Sequence, residues 1–125
     1  MISEQQIIDA IRIISQIDGL AMNADDLVDD VVLLAQAWPD EEDFQSAVLA
    51  VSKALEQLIN KQVSGTPLLY RLKGWDSYHF QHRKGQREKA DMRIVYRITI
   101  DGIAVKGFGA RHKPQDFYRR MLASR

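Results

Sequence analysis

The sequence contains no cysteine, which excludes disulfide bonds and thiolate metal sites and favours a reducing compartment. No apolar run approaches the roughly 18 residues that a transmembrane helix needs. The first residues, MISEQQIIDAIRII, lack the basic region and the small-residue cleavage site of a signal peptide. These absences predict a soluble protein of the cytoplasm with no membrane partner.

The signatures of cofactor chemistry are missing as well. The sequence has no glycine-rich phosphate-binding loop, no zinc signature and no nucleophile elbow. Its three histidines, His79, His82 and His112, are too few and too irregularly spaced for a metal site. We therefore expect neither a metal nor a cofactor.

What the sequence does have is an uneven distribution of charge. The formal net charge is zero, with 17 basic and 17 acidic side chains in 125 residues. Residues 1–62 carry a net charge of −9, however, and residues 63–125 carry +9. Such asymmetry indicates either a nucleic-acid partner or an acidic helical layer that packs on a basic sheet.

The first half of the chain predicts three helices. Ser3 and Gln6 have the spacing of a capping box at the start of the first helix, and Asp40 can cap the third. Apolar residues recur with helical spacing along all three segments. They are Ile7, Ile8, Ile11 and Ile14 in the first, Leu27, Val31, Leu34 and Trp38 in the second, and Phe44, Val48, Val51, Leu55 and Leu58 in the third.

The pattern changes to strands after a breaker cluster at residues 64–67. Short extended stretches are expected at residues 68–72 and 77–82, a polar mobile loop at 83–91, and a short helix at 114–121. Two β-rich runs, residues 92–100 and 103–108, flank Asp101-Gly102, which predicts a hairpin. Helices followed by a small antiparallel sheet of three or four strands predict an α+β fold in a single domain, residues 1–125.

A two-residue turn would fix the register of this hairpin. The pairs on the face expected to meet the helices are Ile100 with Ile103, Ile98 with Val105 and Ile94 with Gly109, alongside Met92 and Tyr96. On the other face Arg97 would oppose Lys106, and Arg93 would oppose Ala110. Like charges directly opposed destabilise a sheet by up to about 1 kcal/mol. This face should therefore meet an anion, extend into water or be covered by an acidic helix.

Three blocks of the second half carry a resemblance. They are residues 72–83 (LKGWDSYHFQHR), 92–97 (MRIVYR) and 109–118 (GARHKPQDFY), in that order and at suitable spacing. Together they resemble the RelE/ParE superfamily of bacterial toxins, over roughly residues 42–121. The resemblance implies a type II toxin that cleaves mRNA at the ribosome without a metal and pairs with a cognate antitoxin. The alternatives are a non-catalytic module like the ParE branch, which acts on DNA gyrase, and a silent domain with an acidic interaction surface.

The resemblance implies catalytic roles for Arg93, Arg111 and Tyr118. The two lysines that RelE carries on its second strand correspond here to His79 and Gln81. The start of the chain also departs from the family, whose members usually open with a β-strand rather than a helix.

Cleavage of RNA by its own 2′-OH needs a base, an acid and cations for the phosphorane. His79 can serve as base or acid, with His112 as an alternative. The arginines can bind phosphate, and Tyr118 or Trp75 can stack on a base. Further RNA-binding residues are expected in the basic half: Gln81, Arg83, Lys84, Arg97, Lys106, His112 and Lys113.

The N-terminal helix allows two hypotheses. If residues 3–17 lie near Arg93, they limit the access of RNA to the basic sheet. If the helix instead occupies the place of the missing first strand, Ile7, Ile11 and Ile14 belong to the core.

Overall fold

The computed structural model describes residues 1–83, 89–111, 117–123 and 125. In chain order the elements are α1 (Glu4–Ser15), β1 (Leu20–Met22), α2 (Ala24–Ala37), α3 (Glu41–Ile59), β2 (Thr66–Pro67), β3 (Asp76–Phe80), β4 (Met92–Ile98), β5 (Ile103–Ala110) and α4 (Phe117–Leu122). The expected α+β class and the short C-terminal helix are confirmed. Residues 70–72 form a 3₁₀ turn where an extended stretch was expected. None of the helices in the described part of the chain has the length and apolar character needed to span a membrane.

In the described part of the chain the sheet is mixed and has five strands, in the order β1-β5-β4-β3-β2. β1 pairs with β5 in parallel, with Leu20 opposite Ile103, and the other pairs are antiparallel. The expected sheet of three or four antiparallel strands was wrong because β1 and β2 are too short to give a periodic pattern. β2 contains Pro67, which an edge strand tolerates because no neighbour needs its missing N–H.

The helices begin as their sequences predict. Ser3 and Gln6 exchange both capping-box bonds, at 3.1 and 2.8 Å. The Asp40 carboxylate accepts from the backbone N–H of Asp43 at 3.1 Å at the start of α3. All five apolar residues predicted for the buried stripe of α3 are buried. Ile8 of α1 is 39% exposed, however, whereas Ile14 is fully buried.

The hairpin is present, but its turn has four residues rather than two. Ile98 lies opposite Ile103, and the Thr99 N–H donates to the Gly102 carbonyl at 2.9 Å. The predicted register was wrong because Gly102 is needed for a different contact. A Cβ on Gly102 would lie 2.0 Å from the carbonyl oxygen of Gly19, just before β1. The glycine therefore permits β1 to approach β5.

A β-bulge shifts the register of β4 and β5 by one residue in the middle of the hairpin. Val95 lies opposite Gly107 and Tyr96 opposite Val105, which leaves Lys106 as the additional residue. On the turn side of the bulge Arg97 faces Ala104, as the register at the turn requires, so the expected opposition of Arg97 and Lys106 does not occur. Arg93 faces Gly109 rather than Ala110. Ile98 and Ile100, expected in the core, are 60% and 101% exposed because they flank and form the longer turn.

The two faces of the sheet have different partners. The helix face, which carries Met92, Ile94 and Tyr96 of β4, packs against α1, α2 and α3 in the main core. The opposite face, here called the cation face, carries Arg93, Val95 and Arg97 of the same strand. Of these, Val95 is buried in a small second cluster under α4, formed with Leu72, Phe117 and Met121.

Beyond β1 the edge of β5 is covered by side chains. Asp30 of α2 is fully buried and accepts from the Phe108 N–H at 2.9 Å. Arg120 donates to the Phe108 carbonyl at 2.9 Å, so both backbone groups of Phe108 are bonded as a neighbouring strand would bond them. Arg125 donates to both Asp30 oxygens, at 2.7 and 2.9 Å. Burial raises the pKa of Asp30, and the hydrogen bond from Arg125 opposes that rise.

Candidate RNA-binding site on the cation face

β3 and β4 place His79 directly opposite Arg93. Ser77 lies two residues before His79 and opposite Val95, so it shares the same face. His79 is exposed, whereas Ser77 is buried, with 3% of its surface exposed. The two strands therefore present one accessible histidine beside an arginine, with a buried hydroxyl further along the strand.

Arg93 lies against Tyr118 of α4. The guanidinium carbon is 4.8 Å from the centre of the tyrosine ring, which is the geometry of a cation–π contact. The Arg93 Nε is buried, and it has no hydrogen-bond partner among the described residues. Gly109, the β5 partner of Arg93, leaves space that Arg120 and Phe117 of α4 occupy. Arg93 is thus oriented by an aromatic ring and retains unsatisfied donor capacity.

Tyr118 is held in place from two directions. Its hydroxyl lies 3.1 Å from the hydroxyl of Ser77, and its ring makes an edge contact with Phe117. α4 approaches β5 closely because the strand has glycine at positions 107 and 109. A Cβ at Gly107 would lie 2.2 Å from Met121 Cε, and one at Gly109 would lie 2.7 Å from Arg120 Nη2. The alternating glycines of β5 were the sequence signal for this contact, and sequence reasoning missed both them and Ser77.

The electrostatics of the site act on His79. Partial burial is the largest effect that lowers the pKa of His79 below its ordinary value of 6.5. The positive charges of Arg93 and Arg111 lower this pKa further. Arg111 follows β5, where its backbone N–H donates to the Asp91 carbonyl at 2.6 Å. This shift favours the neutral form of the His79 imidazole, which can accept a proton.

A second cationic group surrounds Trp75 on the same face. The Arg97 guanidinium and the Lys106 ammonium lie 4.8 and 4.9 Å from the indole ring. Lys106 also donates to the Arg125 carbonyl at 2.7 Å. Trp75, expected either to pack or to stack on a base, is half-buried between two cations.

The structure separates several other expected RNA-binding residues from this face. Arg83 forms an ion pair with Asp43 of α3 at 2.8 Å. Gln81 follows β3 and lines a cleft with α3 residues that include Lys53. Lys84, His112 and Lys113 lie outside the described residues. His82, which was not assigned a role, stacks on Trp38 and hydrogen-bonds to Asp91.

The hypothesis that α1 limits access to Arg93 was wrong. Ala10 and Ile14 of α1 belong to the core on the helix face, which is opposite to the face that carries Arg93. The alternative hypothesis put α1 in the place of the missing first strand, with Ile7, Ile11 and Ile14 in the core. Ile14 is in the core, and Ile7 and Ile11 pack against the same cluster, but β1 rather than α1 pairs with β5.

Within the described residues, no group of three or more potential ligands is placed to hold a metal ion. The arrangement is a set of cations, a neutral histidine and an aromatic ring on one sheet face. Comparison with protein-family models, curated proteins and solved structures finds no match to this chain.

Proposed function

We propose that the cation face binds RNA and that this protein cleaves it, as a RelE-like toxin acting on mRNA at the ribosome. The observation that carries the proposal is the position of Arg93 between His79 on the neighbouring strand and Tyr118 of α4. A base, an anion-binding group and a stacking ring are adjacent there. The base and the anion-binding group are two of the groups that cleavage by an internal 2′-OH requires, and the ring can stack on a base of the RNA.

Each residue has a defined role in this mechanism. Neutral His79 takes the proton of the 2′-OH, whose oxygen attacks the adjacent phosphorus. Arg93 and Arg111 bind the phosphate oxygens and stabilise the additional negative charge of the phosphorane. The bond from phosphorus to the 5′ oxygen then breaks, and that oxygen takes a proton from water. Tyr118 orients Arg93 and provides a surface for a base.

The order of elements gives further support. The family resemblance implies an opening β-strand, whereas the sequence predicts a helix at the start of the chain. β1 supplies a strand at residues 20–22, after α1 and before two helices, and it pairs with the last strand. In this proposal α1 is an additional element preceding a RelE-like order, the protein acts in the cytoplasm, and a cognate antitoxin is its partner.

Ribosomes programmed with a labelled mRNA provide the test. The full chain should cleave the mRNA and leave a 2′,3′-cyclic phosphate, which identifies attack by the 2′-OH. His79→Ala should lower the single-turnover rate by about 10²–10⁴-fold, the usual contribution of a general base. Arg12→Ala, which removes an exposed cation of α1, should have no effect. A His79→Ala variant that cleaves at the normal rate would refute the assigned mechanism.

A second candidate is a non-catalytic module that uses the same face to bind a protein, as the gyrase-directed ParE branch does. It is favoured by His79 and Gln81, which stand where RelE carries two lysines. The cleavage assay separates the two candidates, because a non-catalytic module leaves the mRNA intact in the wild-type reaction.

A further inference from the structure

A groove runs between α1 and α3, on the side of the molecule that the RNA proposal does not use. Two cavities of about 260 and 430 Å³ open along this groove, and Ile13 lines both. The first joins Gln6 to Phe44, and the second joins Ile17 to Ile59, so the two helices run in the same direction. The distance from Gln6 to Ile17 along α1 corresponds to about three helical turns.

The groove is apolar at its first cavity, whereas Gln16, Asp18, Glu56 and Asn60 make the second cavity more polar. Ala10, Phe44 and Val48 form the floor of the first cavity and are between 2% and 4% exposed. Ile13 and Leu49 line its sides, yet they are 48% and 63% exposed. Two large, exposed apolar side chains thus border a cavity that reaches the core. They differ in this from apolar residues that are scattered singly over a protein surface.

The charges along the groove have one sign. The ionisable residues that line the two cavities are Asp9, Asp18 and Glu56, and all three are acidic. Arg12 lies near Asp9 at 3.7 Å, but Asp18 and Glu56 have no ion-pair partner among the described residues. An occupant that matches this surface has apolar anchors and basic flanks.

We propose that the groove between α1 and α3 is the docking site for a basic amphipathic helix of a partner protein. Its apolar side chains, spaced at i, i+4 and i+7, pack along Ile13 and Leu49 and enter the apolar first cavity, and its lysines or arginines lie beside Asp18 and Glu56 at the second cavity. A second copy of this chain fits less well because two acidic grooves repel each other. α4, the described helix with adjacent arginines, buries Phe117 and Met121 in its own chain.

The test uses a fluorescein-labelled 14-residue helical peptide of leucine and lysine, with a second peptide that has glutamate in place of lysine. Fluorescence anisotropy measures the binding of each to the full chain. The groove variant is Ile13→Ser with Leu49→Ser, and the matched control is Ile100→Ser with Leu69→Ser, which removes exposed apolar residues elsewhere. The lysine peptide should bind the wild type and the control equally, and the groove variant at least about tenfold more weakly. The glutamate peptide should not bind.

Amide chemical shifts of the wild type with the lysine peptide give a second measurement that does not depend on a variant. Shifts confined to α1 and α3 support the proposal, and shifts elsewhere overturn it. Equal binding by the groove variant would mean simple attraction to an acidic surface, which also overturns it, as does the absence of binding. A concentration-dependent dimer that the groove variant abolishes would identify a second copy as the occupant instead.

Discussion

The two faces of the sheet are built from alternate residues of the same strands, but their surroundings differ. On the helix face, Met92, Ile94 and Tyr96 are at most 2% exposed beneath three helices. On the cation face, a helix of six residues covers Val95 and leaves its neighbours Arg93 and His79 at the border. Polar groups beside a small apolar cluster are partly shielded from water. The shielding strengthens the electrostatic interactions between their charges and shifts their pKa values. Because α4 is short, charged and titratable side chains remain at the surface beside a buried apolar cluster on the cation face.

The acidic and basic halves of the chain show a related difference. Ion pairs join the two halves at a few positions. Asp30 pairs with Arg120 and Arg125, and Asp43 pairs with Arg83. The cations of β4 instead project from the face opposite to the helices. Charge matching between the halves thus explains the arginines at the end of the chain, but it does not explain Arg93 or Arg97.

The largest effect is expected where the two halves meet. Asp30→Ala removes the buried carboxylate that pairs with the guanidinium groups of Arg120 and Arg125. It also removes the acceptor of the Phe108 N–H. Removal of one partner from such a buried network costs roughly 3–5 kcal/mol of unfolding free energy. Urea denaturation measures the loss, and Asp29→Ala, an exposed neighbour, should change stability by no more than about 0.5 kcal/mol. A loss below about 1 kcal/mol for Asp30→Ala would show that the edge of β5 does not depend on this cluster.

The next effect separates two arginines on the same strand and face. Arg93→Ala should lower single-turnover mRNA cleavage by about 10²–10³-fold, because it removes a group that stabilises the phosphorane. The Arg97 guanidinium lies over Trp75. Arg97→Ala should reduce cleavage by less than about tenfold, because a phosphate contact away from the cleaved bond contributes only to binding. Equal losses would mean that the cation face acts only through its total charge.

Sequence reasoning succeeded where a pattern is long and local. The stripe of α3, its Asp40 cap and the alternation of Met92, Ile94 and Tyr96 all follow from neighbours within a few residues. The turn was misjudged because Gly102 is required by Gly19, which is distant in sequence, and no local rule contains that contact. β1 and β2, with three and two residues, are too short to show a period.

The candidate site shows the same limit. The resemblance brought together Arg93, His79 and Tyr118, and the structure places them side by side. The support of Tyr118 by Ser77 joins residues 41 positions apart and has no signature in either segment. The register error at Asp101 is two residues up to the bulge at Lys106 and one residue beyond it, so every predicted cross-strand pair changed.

A smaller effect tests that support. Ser77→Ala removes the hydrogen bond to the Tyr118 hydroxyl, which is worth about 0.5–1.5 kcal/mol, and cleavage should fall by up to about tenfold. Tyr118→Phe removes the same bond from the other side, so the double variant should be little worse than either single variant. Ser64→Ala, at an exposed serine, is the control. Additive losses would indicate that the two hydroxyls act separately.

The smallest expected effect is a shift of the pH–rate profile of mRNA cleavage. If His79 acts as the base, wild-type cleavage should rise with pH as the imidazole loses its proton, and the midpoint of the rise should lie below the ordinary pKa of 6.5. Partial burial lowers the pKa of His79 first, and the charges of Arg93 and Arg111 lower it further. Arg111→Gln removes one positive charge, so protonated His79 becomes less unfavourable and its pKa rises. The rising limb of the pH–rate profile should therefore move to higher pH, whereas Arg12→Gln should leave it in place. A limb that stays fixed or moves to lower pH in Arg111→Gln would contradict the assignment of His79 as the base.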